Sequence, residues 1–505
     1  MKLLPLALTL CLLPLSPAAL GARENDASGS GAALPRNQEL APTQVREDLA
    51  LARKTLEALH AGYDRYTDRA TLDGYWSKLE QKAQSGLTRG ELYLGISELL
   101  AAIRCDHTKA ELPKDMEQSR RETPTYLPFR YVFFDQQMWV TQAGAGVSLA
   151  PGDEILSIDD RPAAELLARV SALFPVDGDT DYIKAHSVSQ FGEFMGPAFE
   201  HFMPFVYPIE ATARLKVRRA DGTLTTLTVT RLNFDDYSAI TGEKRFSSNF
   251  ADAVRFETLG DDAAYLAVDT FVNYRKPVRP DRLYGPIFKQ LKKEKRTKLI
   301  VDLRRNGGGS DDAAWGLFRW LIREPVQPRA EIWTRMDRID PAIRPHLSTW
   351  EAKALDPDPD WFEALDNGYF KVVSRKAGAP GKALKPRRGA FDGELVMLTS
   401  YDNASGVTHL LSSLRGVHRA TFIGEPTGGA ATGATAGVLV FLTLPHSQIR
   451  VRVPLQRTVI SNAERLDPRG GIQPDVEALA TLDSVLTGAD PALAAAKRYL
   501  KISAR

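Results

Sequence analysis

LVMLTSYDNASGVTHLLSSLRGVHRATFIGEPTGG, from Leu395 to Gly429, is the stretch on which the fold turns. Leu395, Val396, Met397 and Leu398 form a continuous apolar run, as a strand buried on both faces requires. A polar turn from Ser400 to Asn403 follows, and then Ser405 and Gly406. Val407, Leu410, Leu411 and Leu414 recur at i, i+3, i+4 and i+7, which is one face of a helix. Thr421, Phe422 and Ile423 make a second buried strand. The unit is strand, turn, helix, strand, with Ser405 at the mouth of the helix. A hydroxyl there lies beside unpaired backbone N–H groups and the positive end of the helix dipole, where an oxyanion is stabilised. On this stretch alone, the ordinary reading of Ser405 is an N-cap.

Working outward, strands alternate with helices on both sides, the sign of a largely parallel α/β sheet. Ala263 to Val268 and Leu299 to Leu303 read as strands, and Leu283, Ile287 and Leu291 as a helix between them. Asn306-Gly307-Gly308-Gly309 follows the second strand, and Ala314, Leu317, Phe318 and Leu321 start another helix. Three successive glycines suit a close approach of backbone to a reacting carbonyl, with the Gly308 N–H as half of an oxyanion hole. A phosphate cradle is disfavoured, because no Gly-Lys-Ser/Thr follows and Asp311 and Asp312 stand where the anion would lie. Residues 339 to 389 read as an insertion over the sheet. Val438 to Leu442 and Ile449 to Val453 are further strands.

At 505 residues the chain calls for two or three domains. Its net charge of +2, with no long block of like charge, excludes a nucleic-acid tail. Lys2, the apolar run Leu3 to Leu15 and the small residues near Gly21 form a secretory signal over residues 1–21. That run is too short to span a membrane, so we expect export to the periplasm or outside the cell, without a stable membrane anchor. Removal of the signal leaves Cys105 as the sole cysteine and hence no internal disulfide. Residues 22–43 read as a disordered leader. Residues 44–125 read as a helical region with a capping box at Thr88 and Glu91. Residues 126–235 read as a separate module, 253–487 as the main α/β core and 488–505 as a closing helix. Scattered histidines and the lack of His-Glu-x-x-His predict no metal, and no motif calls for a cofactor.

The module resembles a PDZ domain, since Leu149, Gly152, Asp153 and Ile155 fit its Leu-x-x-Gly-Asp-x-Ile pattern. Phe191, Phe194, Met195, Phe199, Phe202, Met203 and Phe205 make its middle unusually aromatic, as either a hydrophobic groove or lid, or an extra helical core.

Taken together, LIVDLRRNGGG at Leu299 to Gly309, Asn403-Ala404-Ser405, IGEPTGG at Ile423 to Gly429 and GIQPD at Gly471 to Asp475 resemble the tail-specific, or C-terminal-processing, serine peptidases. The resemblance implies a crotonase/ClpP-like α/β spiral core with Ser405 as nucleophile. The Ser/Lys branch of that family has a lysine where this chain has Ala430, so the base lies elsewhere. The branch resembling the tricorn protease core uses a histidine ahead of the PDZ-like domain and a glutamate near the C-terminus. His107, in Cys105-Asp106-His107-Thr108, and Glu464 match those positions. The resemblance thus implies a catalytic set of Ser405, His107 and Glu464, with Gly308 and Gly406 N–H groups as the oxyanion hole. The expected activity is serine-type endopeptidase action on peptides or unfolded protein C-terminal segments. Two other classes compete: a non-catalytic member of the same fold binding an apolar ligand or peptide, and an acyl-thioester enzyme of crotonase type, which export and the module disfavour.

Overall fold

A computed structural model of the chain describes residues 34–190, 194–240, 248–327, 330–460 and 466–502. The signal segment and Glu464 lie outside these residues. The central sheet has six strands. Val254–Leu259 pairs antiparallel with Ala263–Val268. Ala263–Val268 is followed by Lys298–Asp302, Glu394–Thr399, Thr421–Gly424 and Val476–Glu477, all parallel. Their apolar runs are continuous because both faces are covered. Helices Pro280–Lys293, Asp311–Leu321 and Gly406–Gly416 pack around Leu299, Val301 and Met397 on one side. Ala492, Ala495 and Ala496 of helix Pro491–Tyr499 cover Ile300, Val396 and Leu398 on the other. Small alanines let that helix lie close to the strands. The loops that matter leave the C-terminal ends of Lys298–Asp302 and Glu394–Thr399, the end of a parallel sheet where ligands ordinarily bind.

Residues 126–235 form a six-stranded antiparallel sheet, its short strand Arg161–Pro162 pairing only with Glu154–Ile158, with helix Ala163–Ser171 against it. Strands Thr212–Arg218 and Leu224–Thr230 alternate strictly, as their sequence predicts. Most of the described aromatic middle packs as core, while Phe194 and Met195 line a cavity with Tyr93, Arg89 and His201. Phe199 and Phe202 are fully buried, and Phe202 stacks on Tyr93 at a centroid distance of 6.1 Å. Phe191 lies outside the described residues.

Packing does not follow the expected boundaries. One continuous core joins the N-terminal helices, the antiparallel module, Ile339, Ile343 and Leu347, and the hairpin of Leu439–Thr443 with Arg450–Pro454. That hairpin even pairs with Ala110–Glu111 from the N-terminal region. Periodicity reports which face of an element is apolar, not which other element covers it. Residues 35–43 also differ from the disordered leader expected there. They form a 3-10 turn, a strand Glu39–Leu40 paired with Leu87–Thr88, and the start of helix Pro42–Leu59. Leu40 is buried by that pairing, which offsets the entropy that a Pro- and Asn-rich segment otherwise keeps. Among the described residues no helix is long and apolar enough to cross a membrane.

Candidate active site

Ser405 is not an ordinary N-cap. Its φ is 53° and its ψ −127°, and its side chain caps no backbone N–H. An N-cap residue adopts extended dihedrals, whereas a positive φ at a non-glycine costs about 1–3 kcal/mol and persists only where surroundings impose it. Those surroundings are two buried asparagines. Asn403 Nδ2 donates to the carbonyls of Leu303 at 2.6 Å and Asn306 at 3.1 Å, while its Oδ1 accepts from Ser400 N–H at 2.9 Å. Asn306 Nδ2 donates to Val268 O at 3.0 Å, and its Oδ1 accepts from Gly308 N–H at 2.9 Å. The turns after two adjacent strands are therefore cross-braced.

The brace presses the glycine loop onto the serine. Gly308 has a φ of 113°, and a Cβ there would lie 2.8 Å from Ser405 Cβ and 3.0 Å from the Gly406 nitrogen. The close backbone approach read from the three glycines is thus present. The donor expected of Gly308 is not: its N–H is committed to Asn306 Oδ1, whose amide is itself oriented by Val268 O. Gly309 and Gly406 N–H carry no hydrogen bond among the described residues, and they belong to the two strands of chain that meet at Ser405.

The histidine arrives from the other core. Helix Arg89–Ile103 starts with the expected capping box, Thr88 N–H donating to Glu91 Oε2 at 2.8 Å. It stops at Arg104, whose left-handed φ of 61° turns the chain sharply into Cys105-Asp106-His107. His107 Nδ1 is buried without a hydrogen-bond partner. Neighbouring Thr108 is fixed by the buried His60, with 2.6 Å between His60 Nε2 and Thr108 Oγ1; Gly62 N–H donates to His60 Nδ1, so Nε2 carries the proton. Burial drives His60 down to about 3, which keeps it neutral.

Beside His107 lies Asp177, a residue that sequence reasoning missed. It sits in the loop after helix Ala163–Ser171, ahead of the aromatic segment, and is 1% exposed. Its Oδ1 accepts from Asp106 N–H at 2.9 Å, and its Oδ2 faces Ala430 N–H at 3.5 Å. A carboxylate oxygen of Asp177, a ring nitrogen of His107 and Cys105 Sγ all lie within 4.8 Å of one another. Burial raises the Asp177 carboxyl above its ordinary range, and the His107 charge opposes that rise. Ala430 in turn follows Gly429, where a Cβ would be 2.6 Å from Ala404 Cα, so the contact path from His107 reaches the serine turn. His107 and Ser405 share no hydrogen bond among the described residues.

Residues 177–186 as a whole span the gap. Gly178 N–H donates to Arg104 O at 3.0 Å, and Arg104 Nε returns a bond to Gly178 O at 2.7 Å. Arg469 grips Asp179 with bonds of 2.6 and 3.0 Å. Tyr182 OH donates to Thr427 O at 2.7 Å, and His186 Nε2 lies 3.3 Å from Asp402 Oδ1. No motif marks this segment, because its partners are mostly backbone atoms distant in sequence.

Comparison with known proteins agrees with this architecture. Residues 262–478 match peptidase family S41, a span that runs from the second strand of the central sheet to its last. The family match on a mixed α/β fold supports a serine peptidase, a hydrolase whose substrates are peptides or proteins. The crystal structure of mature CPAF is similar at a TM-score of 0.60 with 13% identity, covering 91% of this chain and 96% of that one. Mature CPAF complexed with lactacystin gives a TM-score of 0.59 at 13% identity, covering 91% and 97%. The photosystem II D1 C-terminal processing protease gives 0.40 at 16% identity, covering 90% and 99%. At 13% identity the likeness to CPAF is one of fold. No curated protein matches the sequence.

Proposed function

We propose that the protein is an exported serine endopeptidase that cleaves peptides or unfolded C-terminal segments through an acyl-enzyme on Ser405. The observation that carries the reading is the strained Ser405 backbone, wedged against Gly308 at a helix mouth where Gly309 and Gly406 N–H carry no hydrogen bond among the described residues. His107 takes the Ser405 proton as the hydroxyl attacks the scissile carbonyl, then returns it to the leaving amine. Gly406 and Gly309 N–H hold the tetrahedral oxyanion, the latter in place of Gly308. Asp177 is the carboxylate we assign to orient and stabilise the His107 imidazolium, with Glu464 as a further acid from the C-terminal loop. The antiparallel module acts in PDZ fashion, holding a substrate C-terminus as an added strand on a free sheet edge. An apolar-ligand carrier has less support, since Phe199 and Phe202 are consumed by core packing.

A fluorophosphonate probe tests the assignment. The purified protein takes up label and cleaves an unfolded protein, whereas Ser405→Ala loses both. Equal labelling of the two proteins would refute Ser405 as the nucleophile. His107→Ala lowers kcat by at least about 100-fold while the far- and near-UV circular dichroism stay unchanged.

A further inference from the structure

Cys105 has no part in peptide hydrolysis, yet it sits against the residues that do. It is 1% exposed, and its thiol donates to Thr435 O at a long 3.5 Å. Burial, and then the Asp177 carboxylate, push it up to about 12, so it is an uncharged thiol and no nucleophile. Around it, sulfur, imidazole nitrogen and carboxylate oxygen converge within 4.8 Å. Two of the three residues are buried, and His107 Nδ1 is a buried polar atom with no partner. Buried polar atoms are ordinarily satisfied, and an orphan beside two other donors calls for an explanation.

We infer that Cys105, His107 and Asp177 form an inhibitory site for a thiophilic divalent cation, of which Zn²⁺ is the type. The donor set is that of a borderline-soft ion: one thiolate, one imidazole and one carboxylate, with the fourth tetrahedral position left to water. Binding exchanges the Cys105 S–H bond for an S–metal bond, and the thiol proton leaves to solvent. Asp177 keeps one oxygen on Asp106 N–H and turns to the ion the oxygen whose contact with Ala430 N–H is already long at 3.5 Å. His107 uses its lone pair on the metal and no longer accepts the proton of Ser405. Metal occupancy and catalysis are therefore mutually exclusive. The inhibitory half of this inference rests on His107 being the base of the proposed peptidase; the binding half does not.

The experiment uses the full chain freed of metal with a chelator. Co²⁺, added to one equivalent, produces a near-ultraviolet thiolate-to-metal charge-transfer band, and Zn²⁺ bleaches it. Cys105→Ser shows no such band, and Cys105→Ala serves as a second variant, each checked for native near-UV circular dichroism. In the activity arm, Zn²⁺ inhibits the wild type reversibly, with recovery on adding EDTA. Both Cys105 variants keep basal activity and need at least about tenfold more Zn²⁺ for the same inhibition. Co²⁺ binding without a thiolate band overturns the site, and equal Zn²⁺ sensitivity of wild type and variants overturns the mechanism. Loss of the Ser405 assignment leaves the Co²⁺ spectrum unchanged, so the two failures are distinguishable.

Discussion

Ser405 keeps its left-handed backbone because nothing in its neighbourhood lets it relax. Gly308 is the tightest of those constraints. Gly308→Ala adds a Cβ 2.8 Å from Ser405 Cβ at a φ of 113°, which no L side chain adopts comfortably. The variant is expected to lose at least about 1 kcal/mol of stability and to drop kcat/KM more steeply than Tm, because the displaced atom carries the Oγ proposed as nucleophile. Thermal melts set beside steady-state kinetics check this, and a variant that melts early with unchanged kcat/KM would contradict it. Asp177 behaves in the opposite sense. Its carboxyl is raised by burial, against the charge of His107, so its ionisation opposes folding. The stability associated with it is fully present below the unfolded value of about 3.9 and is lost as pH rises through the higher folded value. Asp177→Asn, which cannot ionise, is expected to match the wild-type Tm at low pH and equal or exceed it at neutral pH. Its kcat falls and the acid limb of its pH–rate profile shifts. A merely structural aspartate would show a lower Tm at every pH. Glu464→Gln in the same assay separates the two acids. Of these residues, Ser405, His107 and the glycines were singled out from motif and order; Asp177 was not, since an aspartate in a Gly- and Asp-rich loop carries no local sign of what it faces.

At the scale of elements, the serine turn is held by side-chain amides rather than by secondary structure. Asn403→Ala deletes two donated bonds and one accepted bond in a fully buried place. Each orphaned backbone group costs about 1–3 kcal/mol, so the variant is expected to melt well below wild type and to lose labelling by a serine probe even where it remains folded. Asn403→Asp, which keeps the acceptor and loses the donor, is expected to be nearly as damaging. The four inner strands of the central sheet were legible to within a residue, and its helices to within about three, because apolar runs and the i, i+3, i+4 repeat state burial directly; the edge strands Val254–Leu259 and Val476–Glu477 carry no such run and were not read. The stop at Arg104 was less so, because a left-handed arginine is a choice made by the Gly178 contacts it meets.

Among the described residues there are three bodies of apolar packing, and the candidate site lies between the two larger ones. His107 follows a helix of the first, Ser405 begins a helix of the second, and residues 177–186 tie them together. Arg469→Ala removes the paired bonds to Asp179 and the bond to Tyr66 O. We expect faster amide exchange across 177–186 and a reduced kcat/KM, with Tm little changed because Asp179 and Arg469 are each about half exposed. The Arg469 hydrogen bond holds the Asp179 carboxyl below its ordinary range. This clamp therefore contributes above the unfolded carboxylate value of about 3.9 and is lost only as pH falls through the lower folded value. Exchange in 177–186 is thus expected to be the same at pH 7 and pH 5, and loosening over that interval would count against the clamp.

The four inner strands of the sheet, the serine at a helix mouth and the glycine loop were determined by the sequence alone, because each is a local pattern of burial or turn chemistry; the histidine was only pointed to, by the family resemblance. Tertiary structure alone decided that Gly308 N–H is spoken for, that Asp177 stands beside His107, that Cys105 joins them, and that the hairpin at 439–454 packs with the N-terminal helices. These depend on pairings between residues tens to hundreds of positions apart. Such pairings are selected by shape and by the need to satisfy buried polar groups, and no local pattern encodes them.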